Sequence, residues 1–177
     1  NYDSINQLLL KNNISAPRLL SENFNQNFIE IEDFGKKTLF DILKIKRSNQ
    51  FKIYKRILVT LIKLQNIKVK KIKNFKKKFY KIPIYSKSLL LEEVNLFFKW
   101  YVPHIFNKKK RFKINSQLRK VISSLLKKIK LPNNTFVHRD FHVSNLMLKK
   151  RVISVIDSQD AVYGNIAYDL ASLIDDV

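Results

Sequence analysis

Apolar residues return at helical spacing along much of the chain. Ile53, Ile57, Leu58, Leu61, Ile62 and Leu64 fall on one face of a predicted helix, with Lys52, Lys55, Arg56 and Lys63 mostly outside it. Leu89, Leu90, Val94, Phe97, Phe98 and Tyr101 mark a second amphipathic helix that Pro103 is expected to close. Ile114, Leu118, Val121, Ile122, Leu125, Leu126 and Ile129 mark a third, broken before Pro132. Shorter helices are predicted over 4–11, from a Thr38 cap through Leu43 with Asp41 favouring the N-terminal dipole, and over 166–175. Extended pairs are predicted at 18–21 with 27–32, turning at 23–26, and at 135–137, 146–148 and 151–156. Without repeats or a Pro, Gly or Ser linker, the pattern reads as one α+β unit, mostly helical, with β-hairpins lining a cleft.

Between two of those strands lies the run Phe136-Val137-His138-Arg139-Asp140-Phe141-His142-Val143-Ser144-Asn145, followed a hairpin later by Val155-Ile156-Asp157. Phosphoryl transfer needs a carboxylate on the attacking hydroxyl and two oxygen ligands for magnesium, and Asp140, Asn145 and Asp157 stand at the spacing that supplies all three. A tight polar loop between apolar strands lets Asp140 point at a substrate while Asn145 points at a metal. A lone Asp in a loop is usually a turn or cap residue, but three donors in this order are not explained that way. His138 is expected to pack beneath the loop and fix its backbone rather than move protons. A carboxylate with an ordinary pKa near ~3.9 suffices as base where the transition state is loose and the proton leaves late.

These residues resemble the aminoglycoside phosphotransferase and choline kinase superfamily, small-molecule relatives of the protein kinases. More narrowly, His138 to Met147 and Val155 to Asp176 resemble the bacterial anomeric amino-sugar kinases that act on N-acetylmuramate and N-acetylglucosamine in cell-wall recycling. Glu92-Glu93-Val94-Asn95-Leu96-Phe97-Phe98-Lys99-Trp100-Tyr101 resembles a helix of that group. The resemblance implies a protein-kinase-like α+β fold: residues 1–35 as a remnant of the N-terminal lobe sheet and the hinge, and 36–177 as a mostly helical C-terminal lobe with the catalytic β-hairpin, truncated at its end. It implies Asp140 as catalytic base, Asn145 and Asp157 as Mg2+ ligands, and His138, Arg139, His142 and Asp169 as supports of the loop. The backbone of Glu32, Asp33 and Phe34 would meet adenine of ATP. Asp160 would face the sugar; of Glu92 and Glu93, one reads as a solvated helix acid and the other as approaching substrate. His142 separates the chain from protein kinases, whose loops usually carry Lys there.

Composition changes the picture in three ways. With 2 Gly in 177 residues and Asn1 in first place, neither a Gly-rich phosphate loop nor a strand bearing an ATP-pairing Lys is present, which implies a fragment. With no Cys, thiol chemistry and Cys-ligated zinc are excluded; no apolar run reaches the ~20 residues of a membrane span, and no signal pattern opens the chain. The cytoplasm, where ATP is, is the expected location, although a targeting segment ahead of Asn1 stays open. The formal charge of +21, from 35 Lys and Arg against 14 Asp and Glu, raises nucleic-acid or membrane partners. Lys greatly outnumbers Arg, however, and the densest run, 68–81, reads as a solvated connector rather than a base-stacking surface. A basic pseudokinase would be expected to have lost one of Asp140, Asn145 and Asp157. The expected partners are therefore ATP and a small hydroxyl compound, with no obligate nucleic acid; choline, ethanolamine, homoserine or an aminoglycoside are the alternative acceptors. Oligomeric state is left open.

Overall fold

A computed structural model of the chain describes residues 1–45, 50–130, 132–149 and 151–175. They form two compact units, one made of Asn1–Ile84 with Asn134–Val177 and the other of Tyr85–Asn133. The first unit opens with α1 (Tyr2–Lys11), then the antiparallel hairpin β1 (Leu19–Asn23) and β2 (Phe28–Ile31), joined by a 3-10 turn over Phe24–Gln26. α2 (Leu39–Ile45) and α3 (Gln50–Gln65) follow, and then β3 (Lys71–Lys73) paired with β4 (Phe79–Lys81). The chain returns to this unit through β5 (Asn133–Val137), which pairs with β8 (Val162–Asn165). Between those two strands lies the hairpin β6 (Leu146–Lys149) and β7 (Val152–Val155), and α7 (Tyr168–Asp175) ends the unit.

The core gathers Ile5, Leu8 and Leu9 of α1, Leu39 of α2, Ile57 and Leu64 of α3, and Phe136, Phe141, Leu146 and Val155 around the β6–β7 hairpin. Burial of such side chains contributes roughly 1.5–3 kcal/mol each. α2 starts where expected because Thr38 and Asp41 cap reciprocally: Asp41 Oδ2 accepts from Thr38 N at 3.0 Å, and Asp41 N donates to Thr38 Oγ1 at 3.5 Å. α2 packs on β6 and on the 3-10 turn Val143–Asn145.

Three sequence readings shift. The buried face of α3 is Ile53, Ile57, Thr60, Leu61 and Leu64, with Leu58 and Ile62 exposed. At about 3.6 residues per turn, Ile62 stands two and a half turns from Ile53, on the opposite side. The lysine-rich stretch is a hairpin rather than a connector, pinned by buried Ile72 with its lysines outward. In the second unit, α4 (Lys87–Leu96) continues through a π turn over Phe97–Tyr101 into α5 (Val102–Ile105), so Pro103 lies inside the helical run. Val102 N–H reaches back to Phe97 O, and this wider turn relieves the clash of the proline ring with the carbonyl four residues back. As expected, α6 (Lys108–Lys128) ends ahead of Pro132; no residue of its apolar stripe is fully buried, and Val121, Leu125 and Ile129 are exposed.

The shifted face of α3 has a direct consequence for stability. Ile57→Ala should lower unfolding free energy by about 2–5 kcal/mol, while Ile62→Ala should change it by no more than about 0.5 kcal/mol. Urea titration of both variants reads the difference, and equal losses would mean that the helix presents the other face.

Candidate active site

β5 delivers His138 into the interior, where it is fully buried, and the chain then turns outward to exposed Asp140. The turn needs a left-handed residue, Arg139 at φ 81. Buried Asp169, in the first turn of α7, holds that backbone: Oδ2 accepts from His138 N at 2.8 Å and Oδ1 from Arg139 N at 3.0 Å. One carboxylate satisfies two amides that water cannot reach, which is what a buried acceptor with two oxygens does best.

Beyond Asp140 the loop closes on itself. His142 N and Asn145 Nδ2 both donate to Asp140 O, at 3.1 Å each, and Asn145 Nδ2 also lies 3.2 Å from His142 Nε2. With its nitrogen so engaged, the Asn145 side chain keeps Oδ1 as an oxygen that accepts nothing among the described residues. Ile156 ties this loop to the second carboxylate. Its N–H donates to Asn145 O at 3.0 Å, and its carbonyl accepts from His138 Nε2 at 3.0 Å, one residue before Asp157. Asp157 is exposed and left-handed at φ 60, a conformation that Asp tolerates better than most residues. Buried Ser158 then donates to Asn6 Oδ1 of α1, and Asn6 Nδ2 donates to Pro17 O at 2.9 Å. Asp157 is thus held between two anchored neighbours.

The electrostatics follow from burial. Desolvation lowers His138 to about 4, and the Ile156 bond and the charges of Asp140 and Asp157 only partly oppose it. His138 is therefore neutral with its proton on Nε2, facing a carbonyl that can only accept. Desolvation pushes Asp169 up to about 6, against the two backbone amides that lower it, and the nearby Asp140 charge adds to the rise.

The segment 32–34 reaches the same hairpin through Lys149 at the end of β6. Lys149 pairs with Glu32, whose carboxyl it holds below the ordinary range, and stands 4.3 Å over the Phe34 ring. Glu32 N donates to Arg18 O at 2.9 Å, and Asp33 Oδ1 accepts from Gly35 N at 2.7 Å. Asp160 is exposed, and its charge adds a little to the rise that burial gives the Tyr80 hydroxyl. Glu92 and Glu93 belong to the second unit, where Glu92 is exposed and Glu93 accepts from the Tyr85 hydroxyl. Sequence reasoning missed Lys149, Ile156, Asn6 and Ser158. Only Asn6 left a signal, as a polar residue beside the apolar stripe of α1.

The two buried groups link this loop to pH in opposite senses. Between about pH 4 and 6, folded Asp169 keeps a proton that the unfolded chain, with its ordinary value of 3.8, has lost, so this group's contribution falls as pH rises. In nearly the same window the unfolded chain carries a proton on His138, ordinarily 6.5, that the folded chain has shed, so this contribution grows as pH rises. Each amounts to something on the order of 3 kcal/mol across the window. Relative to the unaltered chain, Asp169→Asn should therefore gain stability steadily from pH 4 to 6.5, and His138→Gln should lose it. Urea unfolding at a series of pH values checks this, and parallel pH profiles for all three chains would overturn it.

The model of the phosphotransferase enzyme family matches residues 14–177. An N-acetylmuramate/N-acetylglucosamine kinase of Neisseria meningitidis serogroup B is 29% identical over 92% of this chain and 47% of its own length. Kinases of the same name from Pseudomonas aeruginosa and Pseudomonas putida are 27% and 29% identical, over 96% and 99% of this chain and 47% and 48% of their own lengths. The chain spans about half the length of the curated relatives it matches. With the family model matching nearly the whole of it, the chain belongs to the phosphotransferase enzyme family.

Proposed function

We propose that this chain carries the hinge and catalytic part of an ATP-dependent kinase that moves the γ-phosphoryl group to the anomeric hydroxyl of an amino sugar of the N-acetylmuramate and N-acetylglucosamine class. The observation that carries the reading is Ile156, the residue before Asp157, whose amide donates to Asn145 O and whose carbonyl accepts from His138 Nε2 at the entry to the Asp140 loop. In this reading the fold is protein-kinase-like, with 1–35 as the edge of the N-terminal lobe and the hinge and 36–177 as the C-terminal lobe. Its place is the cytoplasm, where ATP is.

Asp140 accepts the proton of the attacking hydroxyl. Because phosphoryl transfer is loose, its main work is aim, and enforced near-attack geometry supplies roughly 7–11 kcal/mol. His138, Arg139 and Asp169 fix the backbone from which it points, and His142 steadies Asn145. The Asn145 Oδ1 and the Asp157 carboxylate are hard oxygen donors suited to Mg2+, which takes its remaining ligands from phosphates and water. When bound, Mg2+ neutralises charge on the phosphoryl oxygens. The adenine lies against the backbone of Glu32, Asp33 and Phe34, a segment held to β6 by Lys149. Asp160 is assigned to the sugar.

Asp140→Ala should lower kcat by about 1,000-fold with nucleotide affinity unchanged, and near-normal turnover would remove Asp140 from its role. Asp157→Asn keeps the left-handed backbone and removes the charge, so Mg2+-dependent ATP affinity should fall by about tenfold; an unchanged magnesium titration argues against a ligand there. Phosphorus NMR of the product should show an anomeric phosphate with N-acetylmuramate or N-acetylglucosamine. Turnover confined to choline, ethanolamine, homoserine or an aminoglycoside would overturn the sugar assignment.

A further inference from the structure

A cavity of about 480 Å³ lies between α3 and the start of β7. Its rim carries Lys52, Lys55, Arg56, Lys63 and Arg151, and no acid among the described residues lines it. The four from α3 stand at i, i+3, i+4 and i+11, one face of a helix, so like charges crowd a surface where a Glu at i+4 would be more stable. Arg56 Nη1 donates to Arg151 O at 3.4 Å and Lys63 Nζ to Asn13 O at 3.2 Å. These carbonyls orient the two heads without neutralising them. None of the five meets a carboxylate or an aromatic ring among the described residues. The cavity also takes two of the seven arginines in the chain, and Arg151 stands at φ 66, a hairpin-turn position where Gly or Asn costs less. Its floor is apolar, from Val59 and Ile153.

We propose that this cavity is a binding site for a small organic polyanion, a phosphorylated or sulfonated molecule with a compact apolar body. Its volume suits a ligand of that size. Guanidinium and ammonium groups at the rim give charge-assisted bonds to the anionic oxygens, and the floor takes the apolar part. The site uses none of the Asp140, Asn145 and Asp157 side chains, so its occupancy does not rest on the reaction proposed above.

Pyrene-1,3,6,8-tetrasulfonate, followed by fluorescence anisotropy at fixed ionic strength with the full chain, is the probe. Lys55→Glu with Arg56→Glu should weaken binding by about tenfold or more. Lys109→Glu with Lys113→Glu on α6 lowers the formal charge by the same four units, from +21 to +17, and should change binding by less than about twofold. Arg151→Gly suits the left-handed backbone, so it should weaken binding by about fivefold without lowering Tm. Equal losses in both double variants, full binding by Arg151→Gly, or no saturable binding by the unaltered chain would each overturn the site.

Discussion

The candidate site depends on one buried carboxylate. Asp169 accepts the amides of His138 and Arg139 at the point where the chain leaves β5 and turns outward. Arg139 adopts a left-handed backbone there, a conformation that costs an L-residue on the order of 1–2 kcal/mol. Leaving the two amides unpaired in a dry site would cost roughly 1–3 kcal/mol each. The carboxylate offsets both penalties at once, and no neutral side chain offers two acceptor oxygens at that spacing. The position of Asp140 is therefore set by a carboxylate 30 residues beyond Arg139.

From that brace the order spreads through neutral groups. His138 is kept uncharged by burial and donates from Nε2 to Ile156 O, and Ile156 N–H returns the contact to Asn145 O. The two oxygens suited to a metal are thereby separated by backbone bonds rather than by flexible side chains. Such bonds hold geometry at less entropic cost than long side chains would. Asn6 and Ser158 close the far side of Asp157, so the placement of α1 and that of Asp157 are one structural decision.

How much of this was legible in the sequence depends on the range of the interaction. The loop and its flanking strands were legible because alternating apolar residues around a polar turn are a local signal. The Thr38 cap was local too, and it lies where the spacing puts it. The α3 face was misread because apolar residues occur around most of that helix, so hydrophobicity alone does not select a side; Thr60 is buried while Ile62 is not. Lysines masked the β3–β4 hairpin, since only Ile72 faces inward in so short a strand. Pro103 signals a helix end unless the preceding turn widens, and nothing in the residues themselves predicts the π turn. The bonds joining Asn6 to Ser158, and Lys149 to Glu32, cross more than 100 residues and left no local trace.

The excess of positive charge is accommodated in a way that bears on where ligands bind. With 14 acids for 35 bases, carboxylates cannot serve most of the cations. Aromatic faces serve several instead: Lys76 stands over both Phe24 and Phe75, Lys73 over Phe79, Lys99 over Trp100 and Arg119 over Phe98. A ring face attracts a cation without needing a counter-charge, at roughly 0.5–1 kcal/mol on an exposed surface. Lys149 has both a carboxylate and a ring, and it sits where β6 meets the segment assigned to adenine. Among the described residues the five cations around the α3 cavity have neither, and the anion proposed for that site would relieve their mutual repulsion.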